Sequence, residues 1–333
     1  MSERKVPADT EVVNNRIRFP TLQGAGREIP TAVAAAWVIL IALSGIHRAD
    51  FFSQQTVLAI AFTMAVVGVL TVAQALIGIS GGILDLSQPT GLAIAAASTA
   101  ALLNLGCPIA VAILIAILLS AAWGLLNGVI VVYCKLNPVI VTLATNFIGL
   151  GILFLIFQTI QAPLHSTFSD FGRSSFLGLP RVWWPMVMIV SLVGFVLPRI
   201  RLGRNVIAVG GNRQAAQAVG ISVSKIRLIT FTVSGAIVGV GGVLFAASSG
   251  PFSPDAGMTF QLPVIASVIL AGVSLSGGRG RVSLVLLSVG FLSTVPTAMV
   301  FFGFSTNWQT LLQGMILIGA VAADGWQTTG SQN

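Results

Sequence analysis

Long apolar runs separated by short polar stretches set the pattern of this chain. An apolar run of about 20 residues is the length at which a helix crosses the hydrocarbon core of a bilayer. The pattern therefore predicts an all-α, polytopic membrane protein with about ten transmembrane helices, some of them tilted or broken because their runs are short. The predicted spans lie at about 31–46, 55–77, 88–104, 108–133, 138–161, 182–198, 228–248, 260–275, 282–302 and 307–323.

Composition supports lipid as the main surroundings of the chain. Hydrophobic residues make up 55% of it and charged residues 8%, with a mean hydropathy of +0.96. A soluble domain carries about 25% charged residues. The net charge of +8 is better explained by basic loops on one side of a membrane than by binding to nucleic acid. The two cysteines, Cys107 and Cys134, lie at the edges of apolar runs and give no reason to expect a metal site or a disulfide.

The distribution of basic residues predicts the topology. Residues 1–30 are polar and of mixed charge, and indicate a cytoplasmic N-terminal tail before a transmembrane domain at 31–323; residues 324–333 form a cytoplasmic C-terminal tail. With the N-terminus inside and the spans alternating, 14 of the 17 basic residues fall inside. Such a bias sets the orientation of membrane proteins. We therefore expect ten spans, both termini in the cytoplasm, and a multi-pass protein of the bacterial inner membrane.

One compact polar island interrupts the apolar runs at 203–227. It reads GRNVIAVGGNRQAAQAVGISVSKIR and carries Arg204, Arg213, Lys225 and Arg227 without an acidic residue. The glycines and the asparagine in its middle predict two short helices. A structured basic segment between two membrane-embedded halves is typical of a surface that touches a soluble partner.

The second of these short helices has recognisable ends. Asn212 is placed to cap a helix that starts at Arg213, and Gly220 is placed to end it in the left-handed conformation. Ala215 and Ala216 give the helix a small-residue face that suits close packing. The alternative is an ordinary surface helix between two spans.

Further glycines predict close contacts between helices. We call the two short helices predicted for the polar island the hairpin. The turn formed by Gly277, Gly278 and Gly280 is expected on the same cytoplasmic face as the hairpin, where it lets two spans meet closely. Close packing is the simpler interpretation of this turn, and a role in coupling is the alternative. Two glycine pairs at the spacing of membrane helix contacts are interpreted as structural: Gly124 with Gly128, and Gly235 with Gly239.

Several kinds of chemistry are absent from the sequence. None of the three lysines lies in the G-x-x-x-x-G-K-[ST] phosphate loop of nucleotide-hydrolysing proteins. No nucleophile elbow and no metal-ligand cluster is present, so we predict no catalytic residue and no metal site. Of the nine acidic residues, Asp85 alone lies near membrane depth. Ion-coupled transporters place ionisable groups inside the membrane, and if this chain moves a solute uphill, we expect the energy to come from a partner.

Three motifs together resemble one family of permeases. They are VGGNRQAAQAVGIS at 209–222, LPVIASVILAGVSLSGGRG at 262–280 and SGGILDLSQPTGLAI at 80–94. In order and spacing they are similar to the permease subunit of ribose-type (monosaccharide) ABC importers, within the larger group of branched-chain amino acid and sugar permeases. The resemblance covers roughly residues 55–323, and the first motif is the most specific.

The resemblance implies a fold, partners and a coupling surface. The fold is the type II-like ABC importer permease fold. The partners are a second permease, either a copy or a paralogue, a cytoplasmic ABC ATPase and a periplasmic substrate-binding protein. ATP and Mg would bind to the ATPase, and this chain would bind no cofactor. The family pattern G-x-x-A-A-x-x-x-G-I, which in the family fits a groove of the ATPase, is matched here by Gly211, Asn212, Ala215, Ala216 and Gly220.

Segment 78–91 is the candidate substrate path. Irregular backbone at membrane depth is tolerated only inside protein or along a watery cavity. Hydroxyl, amide and carboxylate groups suit a sugar, which makes many weak hydrogen bonds. The residues expected to face the cavity are Ser80, Asp85, Ser87, Gln88 and Thr90. The alternative is that Asp85 caps a broken helix near the inner interface.

Departures from the family pattern leave the cargo open. The family usually reads G-G-I-D-L-S-V-G-S in the third motif, whereas this chain has Gln88 in place of the valine and Pro89 in place of the glycine. Our main prediction is an importer permease for a monosaccharide or a related polyol. Branched-chain amino acids or nucleosides are the alternative cargo, and a stand-alone secondary transporter or channel is the alternative of another class. Homodimer and heterodimer both remain open.

Overall fold

The structure is a computed structural model that describes residues 28–81, 83–274 and 277–330. The helices in chain order are α1 (Glu28–His47), α2 (Gln54–Ile79), α3 (Gln88–Asn104), α4 (Ile109–Tyr133), α5 (Pro138–Ile156), α6 (Ser166–Arg173), α7 (Trp183–Ser191), α8 (Arg201–Gly211), α9 (Arg213–Ala218), α10 (Val223–Ser248), α11 (Gln261–Leu270), α12 (Val285–Phe301) and α13 (Thr306–Gly330). Two-residue strands β1 (Ser175–Phe176) and β2 (Leu179–Pro180) form an antiparallel hairpin.

A helix lies at each of the ten predicted spans, but the helices differ in length. Within the part of the chain that the structure describes, six are long and apolar enough to cross a membrane: α1, α2, α4, α5, α10 and the unit 282–301 that contains α12. A seventh is reached if the bent pair 183–199 and 201–211 counts as one span. Helix α11 has only ten residues, about 15 Å of rise, and the 3-10 helix Ala256–Phe260 extends it at its N-terminal end.

Several boundaries differ from the predicted ones. The span expected at 138–161 ends as a helix at Ile156, after which Ile160 exchanges two backbone hydrogen bonds with Phe252. Helix α13 continues through Gly330, beyond the predicted end at 323. Residues 1–27 of the predicted N-terminal tail, and 331–333 of the C-terminal one, lie outside the described residues. Neither α6 nor the β1–β2 hairpin was predicted, because both lie in the polar stretch between two apolar runs, and the prediction followed the apolar runs.

Local sequence accounts for several helix starts. Asn137 accepts a hydrogen bond from the Val139 N–H at 2.9 Å, and Pro138 occupies the first turn of α5. The N–H groups of the first helical turn have no partner inside the helix. The Asn137 side chain accepts a hydrogen bond from one of them, and Pro138 has no N–H to satisfy. Ser53 and Ser222 cap α2 and α10 in the same manner, each accepting from the backbone three residues later.

Helix α2 lies at the centre of the bundle. Almost every residue from Ala65 to Ile79 is buried, and the helix is flanked by α7, α10, α11 and α12. Helix α1 lies at the periphery, mainly against α12, where the Trp37 indole covers Gly290 and donates to the Thr294 hydroxyl at 3.0 Å. Helix α2 thus packs against four other helices, and α10 joins it to α3 and α4.

The two predicted glycine pairs meet each other. A Cβ atom added to Gly124 would lie 2.4 Å from the Phe231 oxygen, and one added to Gly235 would lie 2.6 Å from the Ser120 oxygen. The Ser120 hydroxyl donates to the Gly235 oxygen at 2.8 Å. We call this contact of α4 with α10 the glycine seam; its members are Gly124, Gly128, Gly235 and Gly239. The sequence-based interpretation of these pairs as helix contacts is confirmed.

A sharp bend separates α7 from α8. The helix continues from α7 through a π-helical turn, Leu192–Val196, and a 3-10 turn, Leu197–Arg199. At Ile200 the backbone is extended, and the axis turns by 80° into α8. Proline at position 198 removes a backbone donor there, which fits the end of a helix. Helix α8 therefore runs at a steep angle to α7 and forms the first helix of the hairpin.

Candidate functional site

The polar island folds into the two short helices that its sequence predicts, α8 and α9. Asn212 Oδ1 accepts a hydrogen bond from the Ala215 N–H at 2.9 Å. At the other end Gly220 has φ +83°, its N–H bonds to the Gln217 oxygen, and the Ile221 N–H bonds to the Ala216 oxygen at 2.9 Å. These two bonds form a Schellman motif, which satisfies carbonyls that the helix leaves free. The predicted N-cap and C-terminal glycine are both confirmed.

The five residues expected to form the coupling surface lie on two faces of α9 and its ends. Ala216 is only 3% exposed and belongs to the main hydrophobic core. Gly211, Asn212, Ala215 and Gly220 are exposed. Ala216 therefore packs against its own chain, and a substitution there would disturb the attachment of the hairpin. Ala215 is the exposed member of the alanine pair.

The hairpin, the glycine turn and the end of α2 meet at one point, which we call the glycine junction. Its members are Ile79, Gly210, Gly211 and Gly278. A Cβ on Gly210 would lie 1.8 Å from the Ile79 oxygen, and one on Gly278 would lie 2.4 Å from the Gly211 Cα. The Gly278 N–H donates to the Ile79 oxygen at 2.9 Å. Only residues without side chains allow backbones to approach this closely.

The glycine turn has the conformation that its composition predicts. Gly277 and Gly278 have φ values of +87° and +70°, a region that side chains disfavour. Gly280 lies against Ile79 and Val273, and a Cβ added to it would lie 3.0 Å from a side-chain carbon of each. Beyond letting two spans meet, the turn contacts the hairpin, which the sequence did not indicate.

Beyond the junction, residues 83–87 lie buried or half-buried in the bundle, directly before α3. Asp85 is buried, and its Oδ1 accepts from the Ser87 N–H at 2.8 Å and from the Ser87 hydroxyl at 2.7 Å. This local turn directly precedes α3. The hydrogen bonds of Asp85 therefore agree with the alternative interpretation, in which this residue organises the start of a helix. Asp85 also lines the cavity beside this turn.

A narrow cavity lies beside Asp85 with room for about one water molecule. Of the five predicted path residues, Asp85 and Gln88 line it, whereas Ser80, Ser87 and Thr90 do not. The Ser80 hydroxyl donates to the Ile77 oxygen at 2.7 Å, and the Thr90 hydroxyl bonds to Asn146. The full lining comprises Leu70, Gln74, Asp85, Gln88, Pro89, Gly257, Phe260, Gln261, Val264 and Ile265.

Four polar residues near this cavity were missed by the sequence reading. Gln74 Oε1 accepts from Gln88 Nε2 at 3.0 Å and from the Asp85 N–H at 3.3 Å. Thr142 accepts from the Leu86 N–H at 3.0 Å. Asn146 accepts from the Thr90 N–H, and Gln261 donates to the Leu86 oxygen. A signal existed for all of them: single polar residues inside or beside apolar runs are costly in a membrane and mark buried polar sites.

The path and the coupling surface carry no metal-binding arrangement. Within residues 28–81, 83–274 and 277–330, no group of three or more His, Cys, Asp or Glu side chains could hold a metal ion. The exposed charges of the hairpin are basic, including Arg201, Arg204, Arg213 and Lys225.

Comparison with known protein families decides the class of this molecule. The family described as the permease component of branched-chain amino acid transport systems matches residues 53–321. The chain belongs to this family. The permease is a multi-pass membrane protein, and the hairpin, the glycine junction and the cavity all lie inside the matched region, whereas α1 precedes it.

Curated relatives of the permease cover most of its length. It is 31% identical over 301 residues to the ribose import permease of Haemophilus influenzae, covering 88% of this chain and 92% of the relative. The L-arabinose permease of Azospirillum brasilense is 29% identical, with 88% and 87% covered. The D-allose permease of Escherichia coli is 32% identical, with 86% and 88% covered. No solved structure matches the chain.

Proposed function

We propose that this permease is the transmembrane subunit of an ABC importer that moves a monosaccharide or related polyol across the bacterial inner membrane. The observation that carries the proposal is the glycine junction, which joins the hairpin directly to the start of the polar path. The names of the relatives, which specify ribose, L-arabinose and D-allose, support a sugar as cargo. The chain itself has no ATPase site; ATP and Mg act on the partner.

The proposed mechanism is mechanical. The ATPase contacts the exposed residues Gly211, Asn212, Ala215 and Gly220, while the buried Ala216 holds α9 to the permease. Movement of the hairpin reaches Ile79 through the Gly278–Ile79 hydrogen bond and the close backbone contact at Gly210. Because Ile79 ends α2 and the path segment follows it directly, displacement of the junction changes the shape of the path.

The remaining parts of the importer follow from the same proposal. The permease acts with a second copy or a paralogue, a cytoplasmic ABC ATPase and a periplasmic substrate-binding protein. It crosses the membrane ten times with both termini in the cytoplasm, supported by the helix at each predicted span and by the bias of basic residues. Co-purification of the permease tests the partners, and cysteine accessibility from each side of the membrane tests the topology.

The decisive experiment replaces Ala215 by glutamate. In the reconstituted importer we expect ATPase activity stimulated by the loaded binding protein to fall about tenfold or more, because an unpaired charge would be buried at the contact with the ATPase. Since Ala215 is exposed in the permease, the thermal midpoint of the purified chain should not change. Stimulated ATPase activity equal to that of wild type would contradict the coupling role.

Ala49→Glu provides the matched control. Ala49 is also exposed and also lies in a short helix, but it lies near the start of α2, about 39 Å of helix away from the junction. We expect normal stimulation in this variant. Loss of stimulation in both variants would indicate a general sensitivity to added charge.

A second cargo class is favoured by the family description, which names branched-chain amino acids. Gln88 and Pro89, which depart from the sugar-permease pattern, line the cavity. Binding scans on the partner substrate-binding protein, with pentoses, hexoses and branched-chain amino acids, distinguish the two classes. Saturable binding of leucine without binding of any sugar would overturn the sugar assignment.

A further inference from the structure

Three side-chain amides surround the cavity, and each comes from a different helix. Gln74 belongs to α2, Gln88 to α3 and Gln261 to α11. Gln74 is 1% exposed and Gln88 5%, and Gln261 is half-buried. An amide offers both donors and an acceptor, as a sugar hydroxyl does. The three residues therefore present matching chemistry from three sides of one space.

The hydrogen bonds around the cavity differ in length according to what they join. Bonds within the path segment, from Ser87 to Asp85, measure 2.7 and 2.8 Å. Bonds that the amides make are longer: 3.0 Å from Gln88 to Gln74, and 3.5 Å from Gln74 to the Ile83 oxygen and from Gln261 to the Leu86 oxygen. A donor–acceptor distance of about 3.5 Å is at the limit of a hydrogen bond. The amides therefore exchange partners at small cost.

The Gln88 amide is held against α2 by polar groups at both of its ends. With its nitrogen toward the Gln74 side chain, it donates to Gln74 Oε1 at 3.0 Å. With the amide reversed, the nitrogen donates to the Leu70 oxygen at 3.3 Å and the oxygen accepts from the Gln74 N–H at 3.1 Å. All of these partners belong to α2, so the amide joins α3 to α2 at the cavity.

One wall of the cavity is held in place by a close backbone contact between a glycine and Pro89. A Cβ on Gly257 would lie 2.8 Å from the Pro89 oxygen and 3.2 Å from its Cα. Gly257 belongs to the 3-10 helix Ala256–Phe260, which leads into Gln261. The close approach at Pro89 and the long bond from Gln261 to Leu86 hold this wall against α3 and the path segment.

We propose that Gln74, Gln88 and Gln261 bind the hydroxyl groups of the transported solute, and that segment 256–261 moves away from Pro89 to admit it. The inference rests on the proposed function and adds the residues that contact the sugar, two of which lie outside the three sequence motifs. In the closed conformation the amides bond to one another and to the path backbone. In the open one, solute hydroxyls replace these long bonds.

The first test forces the cavity wall open by placing a larger side chain at position 257, a change that we call the wedge. Full-length permease is reconstituted in vesicles loaded with labelled D-ribose, L-arabinose or D-allose, and efflux is measured without nucleotide or binding protein. We expect Gly257→Val to raise efflux about tenfold, with a smaller rise for Gly257→Ala. The matched control is Gly241→Ala, whose Cβ would meet only side-chain atoms of Val69 and Leu70, the nearest at 3.4 Å, and it should retain the sugar. Folded Gly257→Val that retains all three sugars overturns the proposal.

The second test asks whether the amides bind sugar. In the Gly257→Val background, Gln74→Met or Gln261→Met preserves side-chain length and removes the amide. We expect the KM of efflux to rise about tenfold, with a maximal rate within about twofold of the parent. Thr99→Val, which removes a buried hydroxyl that bonds within α3, should leave KM unchanged. An unchanged KM in both methionine variants overturns the binding role, whatever happens to thermal stability.

The two proposals fail in different ways. ATP-driven uptake by the complete importer tests the proposed function and does not require the wedge. If wild-type importer takes up sugar while Gly257→Val vesicles remain tight, the gate is wrong and the importer stands. If the wedge releases sugar with altered KM in the amide variants but no ATP-driven uptake occurs with any partner, the path is correct and the energy source is wrong.

Discussion

The glycine seam and the glycine junction use the same device, backbone contact through a missing Cβ, in different settings. At the seam, two helices of 25 and 26 residues meet along a buried face, supported by the bond from Ser120 to the Gly235 oxygen. At the junction, the ends of α2 and α8 meet a short turn, with one hydrogen bond between Gly278 and Ile79. Long helices with repeated contacts resist relative motion, whereas helix ends joined at one point can transmit it.

The largest effect is expected from overpacking the seam. Gly235→Leu would place its Cβ 2.6 Å from the Ser120 oxygen and 3.1 Å from two Cα atoms of α4. Backbone cannot give way as a flexible side chain does, and we expect a loss of about 3 kcal/mol in unfolding free energy. Thermal unfolding in detergent measures it. Gly151→Ala, which faces open space in α5, is the control, and equal loss in both would contradict the seam.

A smaller change in stability but a large change in function is expected at the junction. Gly210→Ala would place a Cβ 1.8 Å from the Ile79 oxygen and separate the hairpin from α2. We expect ATP-driven uptake to fall about tenfold, while the thermal midpoint stays within a few degrees of wild type. The control is Gly319→Ala in α13, where no atom lies within 4 Å. If Gly210→Ala transports normally, the junction does not transmit movement.

The smallest effect is expected from the side-chain bond of the seam. Ser120→Ala leaves the glycine contacts in place and removes the donor to the Gly235 oxygen, which should cost about 1 kcal/mol without loss of uptake. Ser98→Ala removes a hydroxyl that bonds within its own helix at 2.7 Å and serves as reference. A loss of uptake in Ser120→Ala alone would show that the seam also moves during transport.

The sequence predicted elements better than contacts between them. The apolar runs predicted a helix at each span. The residue types at the helix ends predicted the cap at Asn212 and the left-handed conformation of Gly220. Which glycines meet could not be predicted, since Ile79, Gly210 and Gly278 are far apart in the chain and only folding brings them together. Of the residues now proposed for the path, the sequence indicated Asp85 and Gln88, which line the cavity. It did not indicate Gln261, which lies on a helix whose register the apolar pattern does not fix.

The 80° bend before α8 makes that helix a lever. Its 11 residues give an arm about 16 Å long, with its pivot at Ile200 and its tip at the glycine junction. Tilting the arm by about 5° would move the tip by about 1.4 Å, enough to change the close backbone contacts of Gly210 with Ile79 and of Gly211 with Gly278. In the proposed importer, a small rotation of α8 by the ATPase is therefore enough to displace the end of α2.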